Sequence, residues 1–200
     1  MDKFFYSAFD FFSYAIPGCC IIFSFFILDS KYICAEDYIL MAGRLQIGSA
    51  IFIVIIGYVL GFAITPIGRY LYRTLGFRLF DGHFKDIEGL TISDKYVLLR
   101  EFSQNNFKYV ESWNVWCIMA HNLALASAFI AINSMLKAVF FQTNNIVFWA
   151  AMAITFVILF FLFIHRAVRF AVWAANDINS SIKMLHLQNR STQLAESVKP

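Results

Sequence analysis

The sequence predicts an all-α integral membrane protein, a four-helix bundle with helical extensions in the cytoplasm. Hydrophobic residues make up 60% of its 200 positions and charged residues only 14%, whereas an ordinary soluble domain has about 45–50% apolar and about 25% charged residues. Phenylalanine alone occupies 24 positions. A water-soluble fold of this length could not bury so much apolar surface. The third observation is the grouping of the apolar residues into four long stretches.

Each of the four stretches is long enough for a membrane-crossing helix, which needs roughly 20 mostly apolar residues. None contains an acidic or basic residue except Lys137, near the end of the third stretch. Aromatic residues stand at their ends, as is typical of the membrane–water interface. The stretches cover residues 11–28, 47–67, 116–140 and 146–164.

Basic residues predict the orientation, because cytoplasmic loops of membrane proteins are enriched in Lys and Arg. With four crossings, the N-terminus, the middle loop and the tail share one side and carry 13 of the 16 Lys and Arg residues. Both termini of this multi-pass protein are therefore predicted to be cytoplasmic. The predicted organisation is membrane helices 1 and 2 in 1–68, a cytoplasmic helical loop in 69–112, membrane helices 3 and 4 in 113–165, and a cytoplasmic helical tail in 166–200.

The middle loop is predicted to contain two helical parts separated by a turn. Residues 68–75 continue the second membrane helix, and Gly76 is the expected stop. Asp81 and Gly82 indicate a turn. Thr91 followed by Asp94 resembles a helix N-terminal cap, so a second helix is expected to begin there and to lead into the third crossing.

Apolar residues at helical spacing predict two amphipathic helices on the cytoplasmic side. In the loop, Tyr96, Leu99 and Phe102 share a face. The fourth helix is predicted to run on beyond the membrane, with Ala174 and Ile178 on its apolar face. Packing of these two helices on each other is favoured over packing on a partner protein.

Small residues on the second and third helices predict close helix contacts, because they let two backbones approach each other in lipid. The second helix contains Gly57 and Gly61 in a GxxxG pattern. The third contains Ala120, Ala124 and Ala128 at four-residue spacing. These patterns fit contacts within one bundle and contacts between subunits equally well. Four thin helices leave little room for a hydrophobic core within one subunit, so a homo-oligomer is favoured.

Three polar residues lie inside the third apolar stretch: His121, Asn122 and Asn133. Polar side chains at such depth face protein or a water-filled cavity. They are therefore candidates for lining a pore or for sensing. The simpler alternative is a hydrogen bond to a neighbouring helix, for which Ser13, Tyr14 and Tyr58 are the candidate partners. No acidic residue lies within the stretches, which argues against an ion-coupled transporter and leaves a passive pore open.

Four basic residues of the middle loop are candidates for contact with a soluble protein: Arg73, Arg78, Lys85 and Arg100. The positive-inside bias alone would also place them there. Arg78 and His83 have the spacing of the R-x4-H signature of HEPN ribonucleases, but the turn at Asp81 argues against a helical nuclease site. No catalytic residues, no cofactor and no metal site are predicted. Direct nucleic-acid binding is not expected at a net charge of +3.

The layout resembles the small four-helix membrane proteins of bacterial antiphage defence loci, and it is most similar to the membrane subunits of Kiwa systems. The resemblance lies in residues 14–18 (Tyr-Ala-Ile-Pro-Gly), residues 57–61 (Gly-Tyr-Val-Leu-Gly), the long cytoplasmic loop and the helical tail. Accessory membrane proteins of type VI-B CRISPR loci share the same outline. The Kiwa resemblance implies a homo-oligomeric inner-membrane sensor of phage attack that works with a soluble DNA-binding partner. It implies no catalytic residues.

We therefore expect a non-enzymatic membrane sensor or anchor in a bacterial antiviral defence system. It would sit in membrane lipid as a homo-oligomer and signal to a soluble cytoplasmic partner protein. The physical motive is that two packings of a small helix bundle can differ by only a few kcal/mol. The competing hypothesis is a pore-forming membrane effector that depolarises the cell.

Overall fold

The computed structural model describes residues 2–29, 35–83, 90–140 and 145–187, and all regular secondary structure in these ranges is helical. The order along the chain is α1 (Asp2–Phe26), α2 (Ala35–Gly43), α3 (Ile47–Leu71), a π-helical segment (Tyr72–Gly76), α4 (Phe77–Leu79), α5 (Ile92–Phe102), α6 (Gln104–Phe140) and α7 (Ile146–Met184). The predicted all-α class is confirmed for this part of the chain.

Within the described ranges, three helices are long and apolar enough to cross a membrane. They are α6, α7 and the continuous helix Ile47–Leu79, which joins α3, the π-helical segment and α4. The apolar surfaces of Ile47–Leu79 and α7 largely face outwards, whereas half of the apolar window of α6 is buried. In the most apolar 18-residue window of α7, only 6% of the residues are buried within the chain. The first predicted stretch lies in α1, whose described apolar part, Phe11–Phe26, is shorter than the other three.

The helices meet in an inner bundle in which small residues allow close packing. Helices α6 and α7 lie along each other, while α1 packs against both α3 and α6. Ala120 and Ala124 of α6 are buried against Ile164 and Val168 of α7. Ala128 is only partly buried. The alanine row of α6 therefore supports a contact within the chain.

Glycine lets the backbones of α1 and α3 touch. A Cβ atom on Gly61 would overlap the carbonyl O of Tyr14, and one on Gly57 would lie 2.5 Å from Cys19 Sγ. On the opposite helix, a Cβ atom on Gly18 would overlap the Gly57 carbonyl. Both glycines of the GxxxG pattern thus lie in the contact with α1 of the same chain.

A second core lies where α5 packs on the charged ends of α6 and α7. Leu99 and Val110 have no exposed surface, and Ala174, Ile178 and Ile182 of α7 close the cluster. The two predicted amphipathic helices therefore pack on each other. Together α5 and the adjoining ends of α6 and α7 form what we call the helical head.

The expected cap of α5 is present as a reciprocal pair. The Thr91 N–H donates to Asp94 Oδ2 at 3.0 Å, and the Asp94 N–H donates to Thr91 Oγ1 at 3.2 Å. The Thr91 hydroxyl and N–H hold the pKa of the Asp94 carboxyl below its usual value. This local contribution to α5 is complete at neutral pH and is lost as the pH falls through that lowered pKa.

Two expectations for the middle loop are wrong. The helix does not stop at Gly76 but continues through it to Leu79. The glycine instead serves a close approach, because a Cβ atom there would lie 2.8 Å from Val168 Cγ2. In addition, α5 does not lead unbroken into α6, since the chain leaves helical geometry at Ser103 (φ −151°, ψ 71°). The turn expected after α4 is confirmed, with Asp81 at φ +48°.

We predict that Gly61→Ala lowers the free energy of unfolding by about 1–3 kcal/mol, because the new methyl group forces α1 and α3 apart. Denaturant unfolding of the detergent-solubilised protein measures this. Gly48→Ala is the matched control, since nothing lies within 4 Å of its Cβ position, and it is expected to cause no loss. Equal destabilisation by both substitutions would contradict the close α1–α3 contact.

Candidate functional site

Two neighbouring groups of polar side chains stand out in the described structure. The first, which we call the inner polar layer, surrounds His121 and Asn122 at the contact of α1, α3 and α6. The second is a cavity between the π-helical segment, α5, α6 and α7, which we call the head cavity. Tyr72 joins the two, because it touches His121 and also lines the cavity.

Asn122 links three helices through its amide. It has no exposed surface, and its Nδ2 donates to Thr65 Oγ1 at 3.0 Å. Longer hydrogen bonds reach the carbonyl oxygens of Ser13 at 3.4 Å and Gly61 at 3.5 Å. The side chain therefore connects α6 with both α1 and α3. Ser13, one of the candidate partners considered from sequence, accepts a hydrogen bond from Asn122.

His121 is held by packing. Its imidazole stacks on the Tyr72 ring, with the centroids 5.3 Å apart and the planes at 9°. Gly68 provides the space, because a Cβ atom there would lie 2.6 Å from His121 Nδ1. Among the described residues, neither His121 Nδ1 nor Asn122 Oδ1 has a hydrogen-bond partner. Both atoms lie inside an apolar bundle, where an unmade hydrogen bond costs free energy.

Two more polar contacts lie toward the other end of α6. Asn133 Nδ2 donates to the carbonyl O of Ser24 at 2.9 Å and to its Oγ at 3.1 Å. Lys137 is buried, donates to the Asp29 carbonyl, and holds its Nζ 5.6 Å from the centre of the Trp149 ring. The residues predicted to line a pore or to sense thus lie in helix contacts of one chain.

The head cavity has a volume of about 460 Å³. Arg73, Lys95, Tyr96, Asn114 and Asn179 supply polar groups to its wall, and the rest of the wall is largely apolar. Lys95 is only 2% exposed, and its Nζ donates to Asn179 Oδ1 at 3.1 Å. Sequence analysis missed this site because Lys95 and Asn179 lie 84 residues apart. Neither belongs to a local motif.

The basic residues selected from sequence occupy different positions. Arg73 lines the head cavity. Arg78 in α4 is exposed, and the exposed Arg100 of α5 has its Nε 3.5 Å from Glu101 Oε1. Such a surface ion pair contributes about 0–1 kcal/mol to stability. Lys85 lies outside the described residues.

The described ranges contain no group of three or more His, Cys, Asp or Glu side chains that could hold a metal ion. His83, considered with Arg78 for the ribonuclease spacing, lies exposed with its Nδ1 3.0 Å from Asp81 Oδ1. No protein-family model, curated protein or solved structure matches this chain. Its function is therefore inferred from the helix arrangement and from these side chains.

We predict a coupling free energy of about 0.6 kcal/mol between Asn122 and Thr65, the average for hydrogen bonds between helices in a membrane protein, for which the maximum is about 1.7 kcal/mol. A double-mutant cycle with Asn122→Ala and Thr65→Val, read by unfolding in detergent, measures it. Thr155→Val is the control partner, because Thr155 is exposed and bonds only within α7, to the Ala151 carbonyl at 2.9 Å. Zero coupling with Thr65 would contradict the inner polar layer.

Proposed function

We propose that this chain is a non-enzymatic, multi-pass sensor and anchor subunit of the bacterial inner membrane, acting in antiviral defence and signalling to a soluble partner. The observation that carries the proposal is the continuity of α6 and α7. These helices have 37 and 39 residues, so each is about 55–60 Å long at about 1.5 Å per residue. The hydrocarbon core of a bilayer is only about 30 Å thick. Each helix therefore extends well beyond it.

Four crossings place the helical head in the cytoplasm. The head contains Arg100 and Lys108, and it lies on the side of the chain that carries most of the basic residues. Trp113 of α6 and Trp173 of α7 are in contact where the apolar stretches of the two helices adjoin the helical head, and their ring centroids are 5.1 Å apart. Aromatic residues of this kind favour the membrane–water interface. The N-terminal helix completes the four crossings in this proposal.

Continuous helices couple the membrane part to the head. A change in the packing of α6 against α7 within the bilayer moves the ends that carry α5, because no loop interrupts either helix. The two buried polar atoms of the inner polar layer that lack a hydrogen bond also favour a second packing of similar free energy. A shift that gives His121 Nδ1 or Asn122 Oδ1 a hydrogen bond would offset part of the contacts it breaks. A disturbed bilayer could then select the second packing.

A homo-oligomer and a soluble partner belong to the same proposal. Because α1 occupies Gly57 and Gly61, a subunit interface would use other parts of the outward apolar faces. The exposed Arg78 and Arg100 remain the proposed contacts for the partner protein. The antiviral role comes from the resemblance to Kiwa membrane subunits.

Phage challenge tests the proposal. We expect cells that carry the gene with its chromosomal neighbours to reduce phage plating at least about tenfold, and deletion of this chain to abolish that protection. Gly61→Leu, which separates α1 from α3, should also abolish protection, while Gly48→Ala should retain it. Equal plating with and without the chain would contradict a role in defence.

Planar-bilayer recording separates the sensor from the pore-forming effector. The purified sensor is expected to show no single-channel currents, because the polar residues of α6 bond to other helices of the same chain. Clear currents from the purified chain, lost in Asn122→Leu, would favour the effector and contradict the sensor. Thr155→Val is again the matched control.

A further inference from the structure

We propose that the head cavity is a binding site for a phosphate group, carried by an anionic phospholipid or by a soluble phosphate compound. The cavity measures about 460 Å³, within the range of about 300–1,000 Å³ that is usual for small-molecule sites. It lies between four helical segments, so no single element forms it. One wall is the π-helical segment, a rare geometry that is often found at functional sites.

Charge identifies the class of ligand. Arg73 and Lys95 line the cavity from opposite elements, the π-helical segment and α5. No acidic side chain is among the described residues that line it. The acid Asp177 on α7 accepts a hydrogen bond from Trp113 Nε1 at 2.8 Å and does not line the cavity. Two cations that line one cavity favour an anion, and Arg and Lys are the usual partners of phosphate oxygens.

The Tyr96 hydroxyl is the third donor, and a side-chain hydrogen bond orients it. Asn114 Nδ2 donates to the Tyr96 hydroxyl oxygen, so the hydroxyl proton of Tyr96 can be donated to a ligand oxygen. The Tyr96 hydroxyl is protonated at neutral pH, and burial raises its pKa further above the usual value. On the other side, Asn179 orients the Lys95 ammonium through its Oδ1. Hydrogen bonds within the fold thus hold two of the donors, Tyr96 and Lys95, in place.

The remaining wall suits a lipid. Cys117, Ala171 and Ala174 are small and leave an apolar surface beside the donors. Under the proposed function, on which this step rests, the cavity lies near the interfacial aromatics Trp113 and Trp173, at the depth of phospholipid head groups. A head-group phosphate would reach the donors while its acyl chains remain beside the helices. The charge argument does not depend on this placement.

Three probes distinguish the possible sources: dioctanoyl phosphatidylglycerol, dioctanoylglycerol with the same chains and no phosphate, and glycerol phosphate with no chains. Binding to the purified full-length protein in neutral detergent is measured by the shift in its unfolding temperature. We expect the phospholipid to bind at least about tenfold more tightly than dioctanoylglycerol. Glycerol phosphate binding as tightly as the phospholipid would support a soluble phosphate ligand. Equal binding of the phospholipid and dioctanoylglycerol would overturn the proposal.

Variants tie the binding to the cavity. Arg73→Gln is expected to weaken phosphatidylglycerol binding about tenfold. Arg78→Gln removes the same charge from an exposed position outside the cavity and is expected to leave binding within about twofold. Tyr96→Phe removes only the third donor, and a smaller loss is expected. Equal loss in Arg73→Gln and Arg78→Gln would overturn the site in favour of general surface charge. No phage or partner protein is needed, so this result is independent of the antiviral role.

Discussion

Apolar side chains on the outside of α3, α6 and α7 are the constraint on which the rest of the structure depends. Ile47, Phe140 and Val147 are 80%, 72% and 83% exposed in the single chain. Water is a poor solvent for such a surface, because burying apolar area is worth about 25 cal/mol per Å². The outward faces therefore require a lipid or protein covering. The proposed membrane location and the proposed homo-oligomer both provide one.

The same constraint explains the interior. Where lipid is the solvent, burial of apolar side chains does not drive helices together, so close backbone packing and hydrogen bonds must do so. Gly18, Gly57 and Gly61 bring α1 and α3 into backbone contact. Asn122 and Asn133 bond across helices. The helical head, by contrast, is stabilised by an ordinary apolar cluster around Leu99 and Val110.

Much of the fold can be predicted from sequence, because apolar length and capping are local properties. The three membrane-length helices, the Thr91 cap and the turn at Asp81 all follow from residues close together in the chain. The expected helix stop at Gly76 was wrong because the role of this glycine is not a local property. Its role depends on Val168, which is distant in sequence, and a stop and a close approach require the same residue type. The small helix α2 was not expected, because its nine residues are too few to show a clear period.

The candidate sites also differ in how much of each can be predicted from local sequence. Single polar residues in an apolar stretch are visible in the sequence, so His121 and Asn122 could be selected, although Thr65 and Gly68 could not be paired with them. The head cavity is assembled from residues as far apart as Arg73 and Asn179. No local pattern signals it. Lys95 meets its partner Asn179 only because α5 packs against α7.

Spin labels on α7 test the central claim, that lipid covers the outward apolar face of a helix that continues into water. In lipid vesicles, with the native cysteines replaced, a label at position 158 is compared with one at Met184, which is 77% exposed at the charged end. The account predicts that relaxation of the label at 158 responds mainly to oxygen and that the label at 184 responds mainly to a water-soluble nickel complex. A label at 158 that responds mainly to the nickel complex would contradict it.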